Sequence, residues 1–305
     1  MNGLHKSCKR PIELNTRLCF DGFKPLAGLV KHDPYCRHDV AVRIYKRRGR
    51  HDTFKRLMDA KPIRPYPGTA LPQASYRIPM RIVAWNCCRG PIAKKIAALE
   101  TLRPDVAVLC EALEPAAESD QLLWFPSHTS RLGIQVRSFG AHRLKPLKAA
   151  DLPNCVVPVR VSGPVDFNLL AVWTRPQPSY THAFLNGLQA YAKLLQRGPT
   201  VVAGDFNGSP AFDKPTQRNK WWTHGFAQLH EAGLVSAYHA FNAVEFGSEP
   251  HATHHFLRKA ERPFHIDFCF VPRTWASKRL EARIVADPVW HTLSDHFPLV
   301  VDTEA

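Results

Sequence analysis

No stretch of this chain approaches the roughly 20 consecutive apolar residues that a membrane-spanning helix requires. The N-terminus also lacks the continuous apolar core of a secretory leader. Both absences lead to the expectation of a cytoplasmic protein with no transmembrane segment. Acidic residues are scarce, 26 Asp and Glu against 41 Lys and Arg, which gives a formal net charge of +15. The eight cysteines form no CxxC pair, so no disulfide framework is legible. Cys110 and Cys269 sit in apolar runs, where a reduced thiol behaves as a small hydrophobe, and this suits a reducing compartment. Cys87 and Cys88 are adjacent, and no internal repeat is visible. What is present is ordinary for a soluble globular chain: 305 residues, 45% hydrophobic and 22% charged, enough for one large domain or two small ones.

The basic excess is uneven. Residues 1–79 hold 17 Lys and Arg against 6 Asp and Glu, whereas residues 80–305 hold 24 against 20. A basic surface favours polyanions, nucleic acid first, but that argument bears weakly on the nearly neutral second part. Residues 43–50 (RIYKRRGR) form a basic run, and residues 61–79 carry five prolines and resemble an extended linker. Cys8, Cys19, Cys36 and His38 have the spacing of no common zinc finger. Residues 1–79 are therefore expected to be a basic, poorly structured extension. Because Met80 directly precedes the strand-like residues 81–86, an upstream start assignment is the alternative, with the natural start at Met80. Residues 80–305 are then the functional domain, expected as a monomer.

From Met80 onward, apolar runs alternate with turns. Strands are expected at residues 81–86, 105–110, 133–138, 155–161, 167–173, 200–203, 264–271, 280–286 and 297–301. Helices are expected from Ile92, Ile96 and Leu99, at residues 182–196, and at residues 226–232 ending at Gly233. Several strands do not alternate and so bury both faces, which predicts two packed sheets with outer helices.

Polar residues interrupt these strands at particular places. Asn86 ends the first, Glu111 ends the second, Asp205 and Asn207 follow the run at 200–203, Asp267 lies inside an apolar run, and Asp295 and His296 open the last. Strand ends converge on one rim of a sandwich, where a site is both rigid and open to solvent. The residue types suit phosphoester hydrolysis. Magnesium takes hard oxygen ligands and few carboxylates, which Asn86, Glu111 and Asp295 supply. Asp205 suits proton abstraction from water, Asn207 suits orienting it, and His296 held by Asp267 suits donation to a phosphoryl oxygen. Taken singly, such a residue is more often a turn former or a solvated strand end than a ligand. Asp267 is the most telling, since an Asp in so apolar a run is costly unless paired.

The ordered set WN, CE, GDFN, HID, SDHFPL resembles the endonuclease/exonuclease/phosphatase (DNase I-like) superfamily across essentially all of residues 80–305. The resemblance implies a four-layered sandwich of two packed, mostly antiparallel sheets flanked by helices. It also implies a Mg2+-dependent phosphodiester hydrolase, with Mn2+ as a substitute. By resemblance, Asn86, Glu111 and Asp295 belong to the metal site, and Asp205, Asn207, Asp267 and His296 to catalysis. One departure stands out. Where many members end the strand equivalent to residues 169–173 in His or Tyr, this chain has Trp173, whose indole exchanges no proton at neutral pH. Trp173 then packs or stacks on substrate, and Tyr180 is a candidate to assist the leaving group. Arg89, His254 and His255 are further candidate substrate contacts, with Arg258, Lys259 and Arg262 in the loop between. Trp221 and Trp222 read as a stacking platform or as packing.

The expected substrate is DNA or RNA. The turns after Asn86 and Glu111 differ from those of abasic-site nucleases, so DNA repair is not implied. A phosphorylated small molecule or lipid is the alternative substrate. A non-catalytic nucleic-acid-binding protein is the alternative of another class.

Overall fold

In the computed structural model, residues 78–305 are described apart from Thr129 and Gln217. The basic run at 43–50, the proline-rich stretch up to residue 77, and Cys8, Cys19, Cys36 and His38 lie outside the described residues.

Fourteen strands are described: β1 (Pro79–Asn86), β2 (Val106–Leu113), β3 (Leu122–Pro126), β4 (Leu132–Ser138), β5 (Arg143–Pro146), β6 (Val156–Ser162), β7 (Phe167–Trp173), β8 (Thr200–Asp205), β9 (Leu234–Ser236), β10 (His254–His255), β11 (Pro263–Phe264), β12 (Asp267–Pro272), β13 (Leu280–Ile284) and β14 (Leu299–Glu304). One six-stranded sheet has the order β13-β14-β1-β2-β4-β3, and the second has β5-β6-β7-β8-β12-β9. Strands β10 and β11 form a separate ribbon. Only β1–β2 and β7–β8 pair in parallel among the described strands; the remaining pairs are antiparallel. The helices are α1 (Ala93–Thr101), α2 (Tyr180–Ala190), α3 (Ala192–Leu195), α4 (Trp221–Glu231), α5 (Ala237–Asn242), α6 (Arg273–Ala276) and α7 (Pro288–Leu293).

Strand alternation explains the layers, since successive side chains point to opposite faces. In β1, Ile82 and Ala84 face inward with Val108, Val159, Leu169, Ala171 and Val201 to form the core between the sheets. Val83 and Trp85 face outward, against Leu99 of α1 and Trp290 of α7. On the other side, Leu170, Val202 and Phe268 meet Phe184 of α2 and Phe226 of α4. Each such side chain, fully buried, contributes roughly 1.5–3 kcal/mol. The result is the expected four-layered sandwich, helix, sheet, sheet, helix, although both sheets are mixed.

Several boundaries depart from the sequence reading. Strand β2 does not end at Glu111. It continues to Leu113 through a bulge between Leu109 and Ala112, with Glu111 at φ 55°. The expected strand at 264–271 is broken at His265 and Ile266, so Asp267 opens β12 instead of lying within a strand. Asp295 and His296 precede β14 in a turn after α7. The expected helix at 182–196 starts earlier, where the Ser179 hydroxyl accepts from His182 N at 3.2 Å, and it breaks at Tyr191. Helix α4 begins at Trp221, so Trp222 packs in the outer core and stacks on Phe184 at 5.7 Å, while Trp221 stays exposed.

Candidate active site

Both sheets deliver side chains to one rim. Asn86 closes β1 and lies beside Cys110 in parallel register, which places Glu111 next to it. From the second sheet, Asp205 at the end of β8 stands directly opposite Asp267 at the start of β12. The Asn86 amide spans the two groups: Nδ2 donates to Asp205 Oδ2 at 2.8 Å and to Glu111 Oε1 at 3.2 Å. Its Oδ1 accepts from Cys88 N at 2.9 Å, so one lone pair of that oxygen remains for a cation. Asn207, at φ 52°, wraps the other side of Asp205, giving its backbone N–H to Oδ1 and its Nδ2 to Oδ2, both at 2.8 Å. Asn207 Nδ2 also reaches Thr174 O at 3.2 Å.

His296 Nδ1 pairs with Asp267 Oδ2 at 2.8 Å. Its backbone N–H donates to Ser294 Oγ at 3.0 Å, and the Ser294 hydroxyl donates to Asn86 O at 2.7 Å. Trp85 Nε1 donates to His296 O at 3.0 Å. Asp267 is further fixed by Thr253, whose Oγ1 accepts from Ile266 N at 2.9 Å and Asp267 N at 3.1 Å. Ser294, Thr253 and Thr174 were not among the expected site residues. Small hydroxyls are too common in a sequence to stand out, and of the three only Ser294, inside the SDH triplet, lay in a motif already singled out.

The electrostatics follow from burial. Asp205 and Asp267 have no exposed surface. Burial, and then the facing Asp267 carboxylate, push the Asp205 carboxyl up to about 7, against the opposing pull of His296, Asn86 and Asn207. For His296, burial lowers the imidazole, but Asp267 outweighs it and lifts it to about 9. Asp267 Oδ1 has no hydrogen-bond partner. On the half-buried Asp295, burial acts upward but His254, Cys88 and His296 hold the carboxyl well below its ordinary range.

The rim holds further groups. Lys95 of α1 is buried and its ammonium bonds the carbonyls of Cys87, Cys88 and Arg89, which pins a left-handed turn at Cys88 (φ 49°) and Arg89 (φ 39°). The Arg89 side chain is exposed. Burial, and then the facing Asp295 carboxylate, raise the Cys88 thiol, with Glu111 adding to the effect. His254 stacks on His296, with ring centroids 4.1 Å apart. His255 turns away to the edge of Phe297 at 5.0 Å and to His291, so of the two only His254 joins the cluster. Trp173 is buried in the inter-sheet core, and its ring is covered by Arg175 at 4.8 Å, so it packs and offers no face to a substrate. Tyr180 is 39% exposed at the start of α2 and shares no hydrogen bond or ring contact with the cluster.

The donor chemistry fits a hard divalent cation. Glu111 and Asp295 are carboxylates at a half-buried rim, both close to Cys88, and Asn86 adds an amide oxygen. Asp205, Asp267 and His296 place one donor atom each within 4.8 Å of one another. Carboxylate and amide oxygens around space open to water match the preference of Mg2+ or Mn2+.

Residues 83–296 match the Endonuclease/Exonuclease/phosphatase family. No curated protein matches the chain significantly. Among solved structures, the fold resembles an AP endonuclease from Leishmania major (TM-score 0.55, 14% identity, covering 74% of this chain and 88% of that one). It also resembles a 3′-5′ exonuclease from Neisseria meningitidis (0.53, 19%, 74% and 100%). A third likeness is the endonuclease domain of a telomere-specific non-LTR retrotransposon (0.52, 16%, 74% and 98%). At these identities the likeness is one of fold.

Proposed function

This chain belongs to the endonuclease/exonuclease/phosphatase family, a family of hydrolytic enzymes, and from that premise we propose that it is a nuclease that cleaves phosphodiester bonds with the aid of Mg2+, or Mn2+ in its place. The observation that carries the reading is the group Asp205, Asp267 and His296. It joins two sheets at one rim and places a buried carboxyl, raised by burial and by the facing Asp267, beside an imidazole fixed by that second carboxylate. Nucleic acid is favoured over other phosphoesters because the similar structures are named as nucleases. The loop that carries His254 also exposes Arg258, Lys259 and Arg262, and Arg258 Nη1 reaches Ser294 O at 3.1 Å beside the cluster.

A bound divalent cation supplies charge neutralisation on the phosphoryl oxygens and acidifies water. Glu111, Asp295 and the Asn86 amide are the residues that would hold it. Asp205 accepts the proton of the attacking water at a carboxylate oxygen, oriented by three N–H donors from Asn86 and Asn207. With Nδ1 committed to Asp267, His296 keeps Nε2 for donation to a phosphoryl oxygen.

Nicking of supercoiled plasmid by the full chain in Mg2+ tests this, beside Asp205→Asn and a chelator control. Cleavage lost in both controls supports a metal-dependent nuclease. A folded, Mg2+-binding protein that leaves DNA and RNA intact overturns the nuclease reading and directs the search to small or lipid phosphoesters.

A further inference from the structure

The outer face of the second sheet carries a recess of about 500 Å3 that none of the rim residues lines. It lies between α4, the edge strand β9, α5 and the loop that follows α5. Phe226, Leu234 and Phe270 line it from helix and sheet, and Val244 and Phe246 line it from the loop. Recesses of roughly 300–1,000 Å3 with mainly apolar and aromatic walls are the usual form of a small-molecule site. Alternation along β12 separates this one from the rim. Asp267 opens the strand, Phe268 and Phe270 point outward to the helices, and Cys269 and Val271 point into the inter-sheet core. Phe270 therefore lies roughly 10 Å along the strand from Asp267.

Two features keep the recess open. Small residues stand where larger ones would close it: Ala227 on α4 and Ala240 on α5 both line it and are exposed, and Ser236 ends β9 against it. The loop wall is also fixed by the protein's own contacts. Glu249 accepts from His239 Nε2 and from Gly247 N, both at 2.9 Å, and Val244 N donates to His239 O at 3.3 Å. The Phe246 ring lies on His239 at 4.0 Å and meets Phe226 edge-on at 5.2 Å.

Charge selects the occupant. Glu231 and Glu245 line the recess and are both exposed. None of the described lining residues is Lys or Arg, although the chain has 41 of these against 26 acidic residues. Arg273 approaches the lining, but its Nη2 is given to His230 Nε2 at 2.9 Å. Ring faces and carboxylates both attract a cation, and the apolar walls favour rings or an alkyl body. An anion would face both carboxylates.

We propose that this recess is a binding site for an apolar organic cation, a protonated amine on an aromatic or aliphatic body, separate from the catalytic rim. The apolar part fills the space between Phe226, Phe246 and Phe270, and the ammonium stays at the mouth beside Glu231 and Glu245.

Calorimetry of the full chain with naphthalene probes of one size tests the site: naphthylmethylamine, naphthylmethanol and naphthoate. The ammonium is expected to bind about tenfold more tightly than the alcohol, and the carboxylate most weakly. Glu231→Gln combined with Glu245→Gln is expected to bring the ammonium to the affinity of the alcohol and to leave the alcohol unchanged. Ala227→Trp, and independently Ala240→Phe, plug the recess from exposed helix positions. Each is expected to abolish binding of both probes and to leave plasmid nicking unchanged. Circular dichroism establishes that each variant is folded. Ammonium binding that survives both plugs overturns the proposal, because the probe then sits elsewhere, as at the acidic rim. Absence of binding by every probe at millimolar concentration overturns the site. Naphthoate binding as tight as that of the ammonium overturns the charge assignment. The binding measurements use neither nucleic acid nor metal, so they decide this site whether or not the chain cleaves DNA.

Discussion

Thr253→Val removes a single hydroxyl from beneath the Asp267–His296 pair and nearly preserves side-chain shape. Thr253 is fully buried, and its Oγ1 accepts from two backbone donors, Ile266 N at 2.9 Å and Asp267 N at 3.1 Å. The Thr253 backbone is engaged as well, donating to Phe264 O at 2.9 Å and accepting from Phe297 N at 2.7 Å. Valine leaves two N–H groups without an acceptor in a region where Ile266 is 5% and Asp267 0% exposed. An unsatisfied buried donor costs about 1–3 kcal/mol, so the pair costs about 2–6 kcal/mol unless the loop shifts to recover water. A shift of the loop at 265–267 moves Asp267 from His296, so activity falls along with stability. Urea unfolding gives the stability change, and plasmid nicking at saturating Mg2+ gives the activity. Thr253→Ser keeps the oxygen and is expected to restore most of both. A valine variant within about 1 kcal/mol of wild type and fully active would refute the claim that this hydroxyl holds the Asp267–His296 pair.

Three further outcomes are expected. Burial acts to raise Glu249, but bonds from His239 Nε2 at 2.9 Å and Gly247 N at 2.9 Å outweigh it and hold the carboxyl at about 2. The resulting stability, up to about 3 kcal/mol, is present above the ordinary carboxyl value and is lost as pH falls toward 2. The stability gap between wild type and Glu249→Gln in urea unfolding should therefore be constant from pH 7 to 5 and close below pH 4.5. Gly204 has φ 138°, and a Cβ there runs into the Val172 carbonyl oxygen across the β7–β8 pairing; Gly204→Ala should melt well below wild type in a thermal scan, and an unchanged melting temperature contradicts this close approach. Lys95→Met leaves three carbonyls of the Cys87–Arg89 turn without their donor; the Mg2+ concentration for half-maximal activity should rise about tenfold, a loss of about 1.4 kcal/mol in cation binding, with a smaller change at saturating Mg2+ and partial rescue by Lys95→Arg.

The layered sandwich was legible because its central strands are apolar on both faces, and β7 (Phe167–Trp173), buried at every position, has the bounds read from sequence. Edge strands were not legible. In β5, three of four residues are exposed, so Arg143–Pro146 carries no apolar signature. The residues brought together at the rim were readable as polar interruptions of apolar runs: Asn86, Glu111, Asp205, Asp267 and His296. Their supports were not. Lys94 and Lys95 are identical in type, yet only Lys95 is buried, because the rotation of α1 turns one outward and the other under the Cys87–Arg89 turn. The break before Asp267 was hidden for a similar reason. His265 and Ile266 are both buried and read as continuing strand, but Thr253, distant in sequence, takes the N–H groups of Ile266 and Asp267.

Two buried carboxylates facing each other across a strand pair do not stabilise a fold. Asp205 and Asp267 stand in register with no exposed surface, and the Asp267 carboxylate raises the free energy of ionising Asp205. The arrangement persists because other contacts over-determine it. Three N–H donors reach Asp205, His296 balances Asp267, and the turn bearing His296 is tied to β1 through Trp85, Ser294 and Asn86. Those ties come from both sheets, so the geometry of the cluster is fixed by the packing between the sheets and not by any single loop. Trp173 belongs to the same packing. Its ring fills the inter-sheet core beneath the cluster, in register with Asp205, and supports the strand that carries the carboxylate. In this chain that strand end is part of the core between the sheets.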